Sequence, residues 1–349
     1  MIGSLLSHAS DAVRSLAFSV LVSSASSIRP FSAEALNILR LRIGMLYADT
    51  DAKFRNDVLS NTKHMIERMR GATAYLVREL QNLSFLAPAR SLRHEDQLQN
   101  GAIVELLEQH EAFIQWFLEF LLGELVSTAS YQRHITALRA IILLLKSGIL
   151  EQNAAPVSFP VSGNATFWPY RINFFTSGSL RLLLDLLMDP FEDVRAGALA
   201  VLKLASPRDF LLRDRHLQSL APKLIKSAKL QQNADNVAGD PQDSLHVSTD
   251  PEKRQGVNNL DTLADFMARA KELSNRTGRA DYADGLARCH QLMYTLLPSA
   301  ADRLQFVTHL VDDLAAKASI ARDNLSKAVL ESPIHGVFSA LKYGILLSI

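Results

Sequence analysis

Apolar residues recur along most of this chain at three- and four-residue intervals, the period of an amphipathic helix that buries one stripe. The pattern predicts helices over 3–23, 33–47, 51–85, 101–127, 130–147, 178–188, 192–205, 209–230, 259–275, 281–297, 300–317, 319–331 and 335–347. Ser32 ahead of Ala33-Glu34 reads as an N-cap, and Asp189-Pro190 and Thr277-Gly278 read as helix stops. Nothing in the pattern reads as sheet.

Three stretches break the period. Ala87 to Gly101, with Pro88 and Asn100-Gly101, reads as a connector. Residues 151–177 mix Pro156, Pro160, Gly163 and Pro169 with Phe167, Trp168, Tyr170, Phe174 and Phe175. So many aromatics in an irregular segment predict a loop packed onto the helices. Residues 231–258 hold almost no large apolar side chain and cannot bury enough surface to offset ordering entropy, so a disordered linker is expected there.

Two stretches carry the same pattern without a gap. Leu5-Leu6, a polar turn, Asp11, Val13-Arg14 and Ala17 match Leu186-Leu187, Asp189-Pro190, Glu192, Val194-Arg195 and Ala198. This is the turn and second helix of a HEAT-type repeat, in which neither helix of a pair can bury its stripe alone. The fold expected is all-α, a HEAT/armadillo-like α-solenoid: a right-handed superhelix of stacked helix pairs. Its repeats would occupy 1–230, with the aromatic-rich loop at 151–177, and continue over 259–349 beyond the linker. Val13 and Val194 should point inward, and Arg14 and Arg195 towards a neighbouring repeat. Both ends of the chain would leave apolar faces uncovered, so the chain reads as a segment of a longer solenoid.

Composition changes little in this picture. Hydrophobic residues make up 48% but aromatics only 7%, and the net charge is +1; nucleic acid would have to meet a local patch rather than a polycation. The single cysteine, Cys289, excludes an internal disulfide and any multi-cysteine zinc site. Asp11 stands where a signal peptide would be basic, and the apolar run 337–349 is too short to cross a bilayer.

Catalytic signatures are missing. Neither G-x-G-x-x-G nor G-x-x-x-x-G-K-[ST] occurs. His110-Glu111 opens like a zinc-protease helix, but Ile114 stands where the second histidine belongs, leaving a surface dipeptide. Gly178-Ser179 lacks a nucleophile-elbow context. Cys289 and His290 are adjacent helical residues that point about 100° apart, so Cys289 reads as a buried small thiol. Asp281 and Asp284 lack the rest of a calcium loop and suit the first turn of a helix. The expectation is a protein that is not an enzyme and holds no metal or cofactor.

One constellation remains. From Lys53 to Arg93 there are eight basic residues against Asp57, Glu67 and Glu79. On the helical wheel Phe54, Val58, Thr62, Met65, Met69 and Leu76 form the apolar stripe. Lys63 and Arg70 share a flank, and Arg68 lies elsewhere. Lys53, Arg55, Lys63, Arg68 and Arg70 are therefore the candidate RNA-binding residues, a basic ridge able to track phosphates.

At these residues the chain resembles a known family. Phe54-Arg55-Asn56-Asp57, Asn61-Thr62-Lys63-His64, Arg68-Met69-Arg70-Gly71, Tyr131-Gln132-Arg133-His134, Asp189 to Arg195, Thr277 to Gly285 and Pro333-Ile334-His335-Gly336 resemble, in order, the thyroid-adenoma-associated protein family, particularly its fungal branch. The resemblance implies a cytoplasmic, non-catalytic scaffold subunit for tRNA ribose 2′-O-methylation in the anticodon loop. It would bind the tRNA 2′-O-methyltransferase catalytic subunit and tRNA. S-adenosylmethionine would belong to that catalytic partner. Family members are several times longer, and the Arg-Arg-Ser-Ala-Gly-Leu-Pro stretch of their central domain has no counterpart here.

Overall fold

The structure, a computed structural model, describes residues 2–86, 94–149, 168, 172, 174–205, 266–273, 276, 280–297, 300, 301, 303–308 and 310–312. Every regular element among the described residues is helical, as the apolar period requires, and the protein is of the all-α helical-repeat class. The chain divides into two compact units, Met1–Phe174 and Phe175–Ile349.

In the first unit α1 (Ile2–Leu5), α2 (Asp11–Val22), α3 (Ala33–Tyr47), α4 (Ala52–Leu86), α5 (His94–Gly123) and α6 (Tyr131–Leu144) pack as successive pairs, α1 on α2, α3 on α4 and α5 on α6. The second helices of the pairs also pack on one another. Their cross-links give the direction. Arg14 of α2 lies 4.5 Å over the Phe54 ring of α4, Asn61 Nδ2 donates to Ser15 O (3.5 Å), and Arg68 Nη1 donates to Val22 O (3.2 Å). Both helices advance together, so α2 and α4 run in the same sense. Between α4 and α6, Arg139 Nη1 donates to Asn56 Oδ1 (3.3 Å) and Arg70 Nη1 to Ser147 O (2.7 Å), again in the same sense.

The apolar stripe of α4 lies inward as the wheel predicts: Phe54, Val58, Thr62, Met65, Met69 and Leu76 are all buried. Thr62 Oγ1 donates to Val58 O (2.9 Å) and lies 3.1 Å from the buried Tyr47 hydroxyl, so the one polar member of the stripe is satisfied. Past α6 the chain widens into a π turn, Leu145–Ile149, in which Gly148 takes φ 111°, a left-handed conformation that a side chain would strain. Ser147 Oγ there accepts the indole N–H of Trp168 (2.9 Å). Trp168, Ile172, Phe174 and Phe175 of the aromatic segment are buried.

The second unit contains α7 (Ser177–Leu186), α8 (Glu192–Leu202), helical residues 266–273 and α9 (Ala280–Leu296). Thr176 and Ser179 form a capping box at the start of α7. Leu180, Leu183, Val194, Val201, Ala287 and Leu292 are buried. A Cβ at Gly285 of α9 would come within 2.8 Å of Leu187 O, so a hydrogen there permits the close backbone approach.

The turns before α2, α4 and α8 are one device. His8 Nδ1, Asp49 Oδ1 and Asp189 Oδ1 each accept the N–H two residues on, at 3.0, 2.9 and 2.8 Å. Six residues beyond each acceptor stands an arginine: Arg14, Arg55 and Arg195. Arg55 Nη1 donates to Asp49 O and Thr50 O (2.9 and 2.7 Å), and Arg195 Nη1 donates to Asp189 O and Pro190 O (2.7 and 3.1 Å). Arg14 pairs with Asp49 (2.7 Å) of the following pair, and Arg195 with Asp284 of α9 (2.8 Å). Both arginines thus reach a neighbouring helix pair, as the repeat pattern requires. Val194 is fully buried, whereas Val13 is only half-buried.

Three expectations need correction. The connector read over 87–101 is helical from His94; a Cβ at Gly101 would meet nothing within 4 Å. An isolated glycine on an open helix face costs only about 1 kcal/mol. The 3–23 segment is broken at the polar turn, into α1 and α2. His110 is not a surface residue. It is fully buried and its Nε2 accepts the Phe31 N–H (3.2 Å). Burial pushes its pKa down to about 4, and the nearby Arg68 guanidinium adds to this, so the neutral ring is the acceptor. Cys289 is buried, as read, and burial raises its thiol pKa. The expected helices over 209–230, 319–331 and 335–347, the Thr277-Gly278 stop and the 231–258 linker lie outside the described residues.

Candidate nucleic-acid interface

All five basic residues singled out in the sequence belong to α4, and the helix sends them in different directions. Arg55 is the turn clamp described above, half-buried and bonded to the carbonyls of Asp49 and Thr50. Arg68 turns towards the loop after α2. Its Nη1 reaches Leu21 O, Val22 O and Ser23 O (3.4, 3.2 and 3.3 Å), its Nε Arg29 O (3.0 Å) and its Nη2 Pro30 O (3.2 Å). Three of those carbonyls close α2, whose last turn leaves acceptors without intrahelical partners. The guanidinium also stacks 3.9 Å over the Phe31 ring. Desolvation lowers the Arg68 pKa, and Arg29 lowers it further.

Arg70 points the other way and donates to Ser147 O in the turn after α6 (2.7 Å). Lys53 and Lys63 are exposed. Lys63 Nζ lies 3.8 Å from Glu67 Oε1, an i,i+4 pair with both groups in water, which contributes little to stability. The five residues therefore do not form one continuous ridge. Arg55 and Arg68 are structural clamps, Lys53 is exposed, and Lys63 and Arg70 share the flank of α4 that meets α6.

That flank has a counterpart the sequence reading passed over. From Tyr131 to Ile149 the chain contains Arg133, Arg139 and Lys146 but no aspartate or glutamate. Arg133 is neutralised by a two-pronged pair with Glu124, at 2.6 and 2.7 Å. Arg139 on α6 and Lys146, seven residues on in the π turn that follows, are exposed. Arg139 reaches across to Asn56, and Lys146 precedes the Ser147 carbonyl that holds Arg70. Asn56, Lys63 and Arg70 repeat at the same seven-residue interval on α4. The facing flanks of two packed helices thus bring Lys63, Arg70, Arg139 and Lys146 to one seam, with Glu67 as its acidic member. A helical wheel of α4 alone shows half of this seam; the rest needed the pairing of α4 with α6.

No group of histidine, cysteine or acidic residues able to hold a metal ion exists among the described residues, and no described helix is long and apolar enough to cross a membrane. No solved structure matches the chain. A family model described as Trm732, TPR repeats, matches residues 1–196. That is more than half of the chain, and the chain belongs to this family.

Proposed function

From that family membership, we propose that the protein is a cytoplasmic, non-catalytic scaffold subunit for tRNA ribose 2′-O-methylation in the anticodon loop, holding a methyltransferase and tRNA. The observation that carries the proposal is the Trm732 family match over residues 1–196, a stretch that includes all of α1–α6. The resemblance along α4, α6 and the Asp189 turn supports the same reading. Stacked helix pairs offer a long surface to partners, and in this proposal the catalytic partner supplies S-adenosylmethionine. We assign the repeats to the HEAT/armadillo type: roughly 40 residues separate the starts of α2 and α4, and the turn arginines link one pair to the next.

The second reading is a general protein-interaction scaffold with no RNA role. It draws on one observation: Arg55 and Arg68 are held by main-chain carbonyls rather than presented to a ligand. One experiment separates the two. The tagged chain is purified from a fungal lysate, its partners are identified by mass, and anticodon-loop ribose methylation is measured in cells lacking it. The first reading expects a ribose methyltransferase and tRNA in the eluate and loss of the modification in the cells. Unchanged methylation, with no methyltransferase recovered, would establish the second.

A further inference from the structure

We infer that the α4/α6 seam, with Lys63, Arg70, Arg139 and Lys146, is a binding surface for the phosphodiester backbone of RNA. The inference rests on the scaffold reading above and names the RNA-facing surface within it. Arg139 and Lys146 are absent from the basic run of α4 and come to it through packing.

Four observations lead there. The seam joins two parallel helices: α4 presents Lys63 and Arg70 seven residues apart, a rise of roughly 10 Å, and α6 with the π turn that follows it presents Arg139 and Lys146. Packed helices lie about 8–10 Å apart, so the four positive groups spread over a patch about 10 Å on a side. That layout suits a strand of repeated charges better than a single anion. Second, Tyr131–Ile149 contains no acid, and its other arginine, Arg133, is already neutralised by Glu124. Third, Lys63, Arg139 and Lys146 are exposed. Among the described residues, Arg139 pairs with the neutral Asn56 and Lys63 with Glu67 at a loose 3.8 Å. Fourth, Arg70 donates to Ser147 O through Nη1, and a guanidinium carries five N–H donors. One donor thus fixes the half-buried side chain in the seam. A guanidinium anchored in this way loses less freedom on binding phosphate than a mobile lysine does.

The chemistry recognised is the repeated charge of the phosphates, so binding should be tolerant of sequence and sensitive to salt. An acidic protein face is the competing occupant, and the test is built to expose it. Lys63, Arg139 and Lys146 are changed together to Ala in the full chain, leaving Arg70 to hold the Ser147 turn. Total tRNA is the probe, titrated from low to moderate salt with and without the methyltransferase, and retention of the methyltransferase on the tagged chain is read separately. The helices should persist, because Ala is a better helix former than Lys or Arg.

The inference expects weaker tRNA binding, a plot of log affinity against log salt flatter by about 2 for three lost contacts, and undiminished methyltransferase retention. Unchanged affinity and slope would overturn it. Lost methyltransferase retention with unchanged tRNA binding by the chain alone would also overturn it, making the seam a protein-docking face. A parent chain that binds tRNA through the seam but retains no methyltransferase would refute the scaffold reading and leave the seam standing.

Discussion

The turns leading into α2 and α8 follow one pattern, yet only one of them has a sealed core. In both, a side chain accepts the N–H two residues on, and an arginine reaches an acid of the following pair: Asp49 in one, Asp284 in the other. The valine before that arginine is fully buried at 194 and half-buried at 13. The polar geometry of the turn and the burial of its plug are therefore separable. Hydrogen bonds local to the turn set the first, and the helices packed over it set the second. The turn before α4 completes the comparison, with Phe54 buried in the valine's place and Arg55 as the clamp.

The comparison is broken most directly at the plug. Val194→Asp places an unpaired carboxylate in a closed core and should destabilise the second unit by about 3 kcal/mol or more. Val13→Asp leaves its carboxylate access to water and should cost about 1 kcal/mol. Chemical denaturation of each variant against the parent checks both values. Equal losses would mean that the two turns share one degree of burial after all.

The acids at the far end of each clamp come next. Asp284 Oδ2 accepts Arg195 Nε and Arg288 Nε, both at 2.8 Å, and Arg288 also bonds Glu192 (2.5 Å). Asp284→Ala removes the shared acceptor of two largely buried arginines and should cost about 2–3 kcal/mol. Asp49→Ala loses one arginine pair and one turn bond and should cost about 1–2 kcal/mol. Thermal melts of the two variants give the order. If Asp49→Ala proved the more damaging, the first turn would be the more strongly coupled one, contrary to its half-open plug.

The smallest effect sharpens the distinction between clamp and ligand-binding arginine. Arg55→Ala loses two bonds to main-chain carbonyls that water can partly replace, for about 1 kcal/mol. It should leave tRNA affinity and its salt slope unchanged. A flattened slope in this variant would return Arg55 to the RNA-facing set.

The helices were legible in the sequence because burial of one stripe imposes a period, and the α4 stripe is buried at every position read from it. The Val-Arg turns were legible where the literal pair occurs. The middle copy was missed because its plug is Phe54, and the physical requirement is an apolar residue followed by arginine rather than valine itself. Arg55 was consequently assigned to RNA. A wheel separates residues on the apolar stripe from those off it, but it cannot say which polar flank meets a neighbouring helix. Hence Arg68, bound to five carbonyls, looked the same as exposed Lys63. Arg139 and Lys146 were invisible as partners of Lys63 for the same reason: their proximity exists only once α4 and α6 are packed. His110 was misplaced because helical period carries no record of a loop that will cover it.

The loop between α2 and α3 shows what this pinning means for motion. Its carbonyls are gathered by Arg68, its Phe31 N–H is taken by His110, and a Cβ on Gly71 would stand 2.6 Å from Ser27 O. Each of these constraints comes from α4 or α5, in the second and third helix pairs. Opening of the loop therefore has to break contacts made by α4 and α5. That requirement couples the start of this array to its second and third pairs.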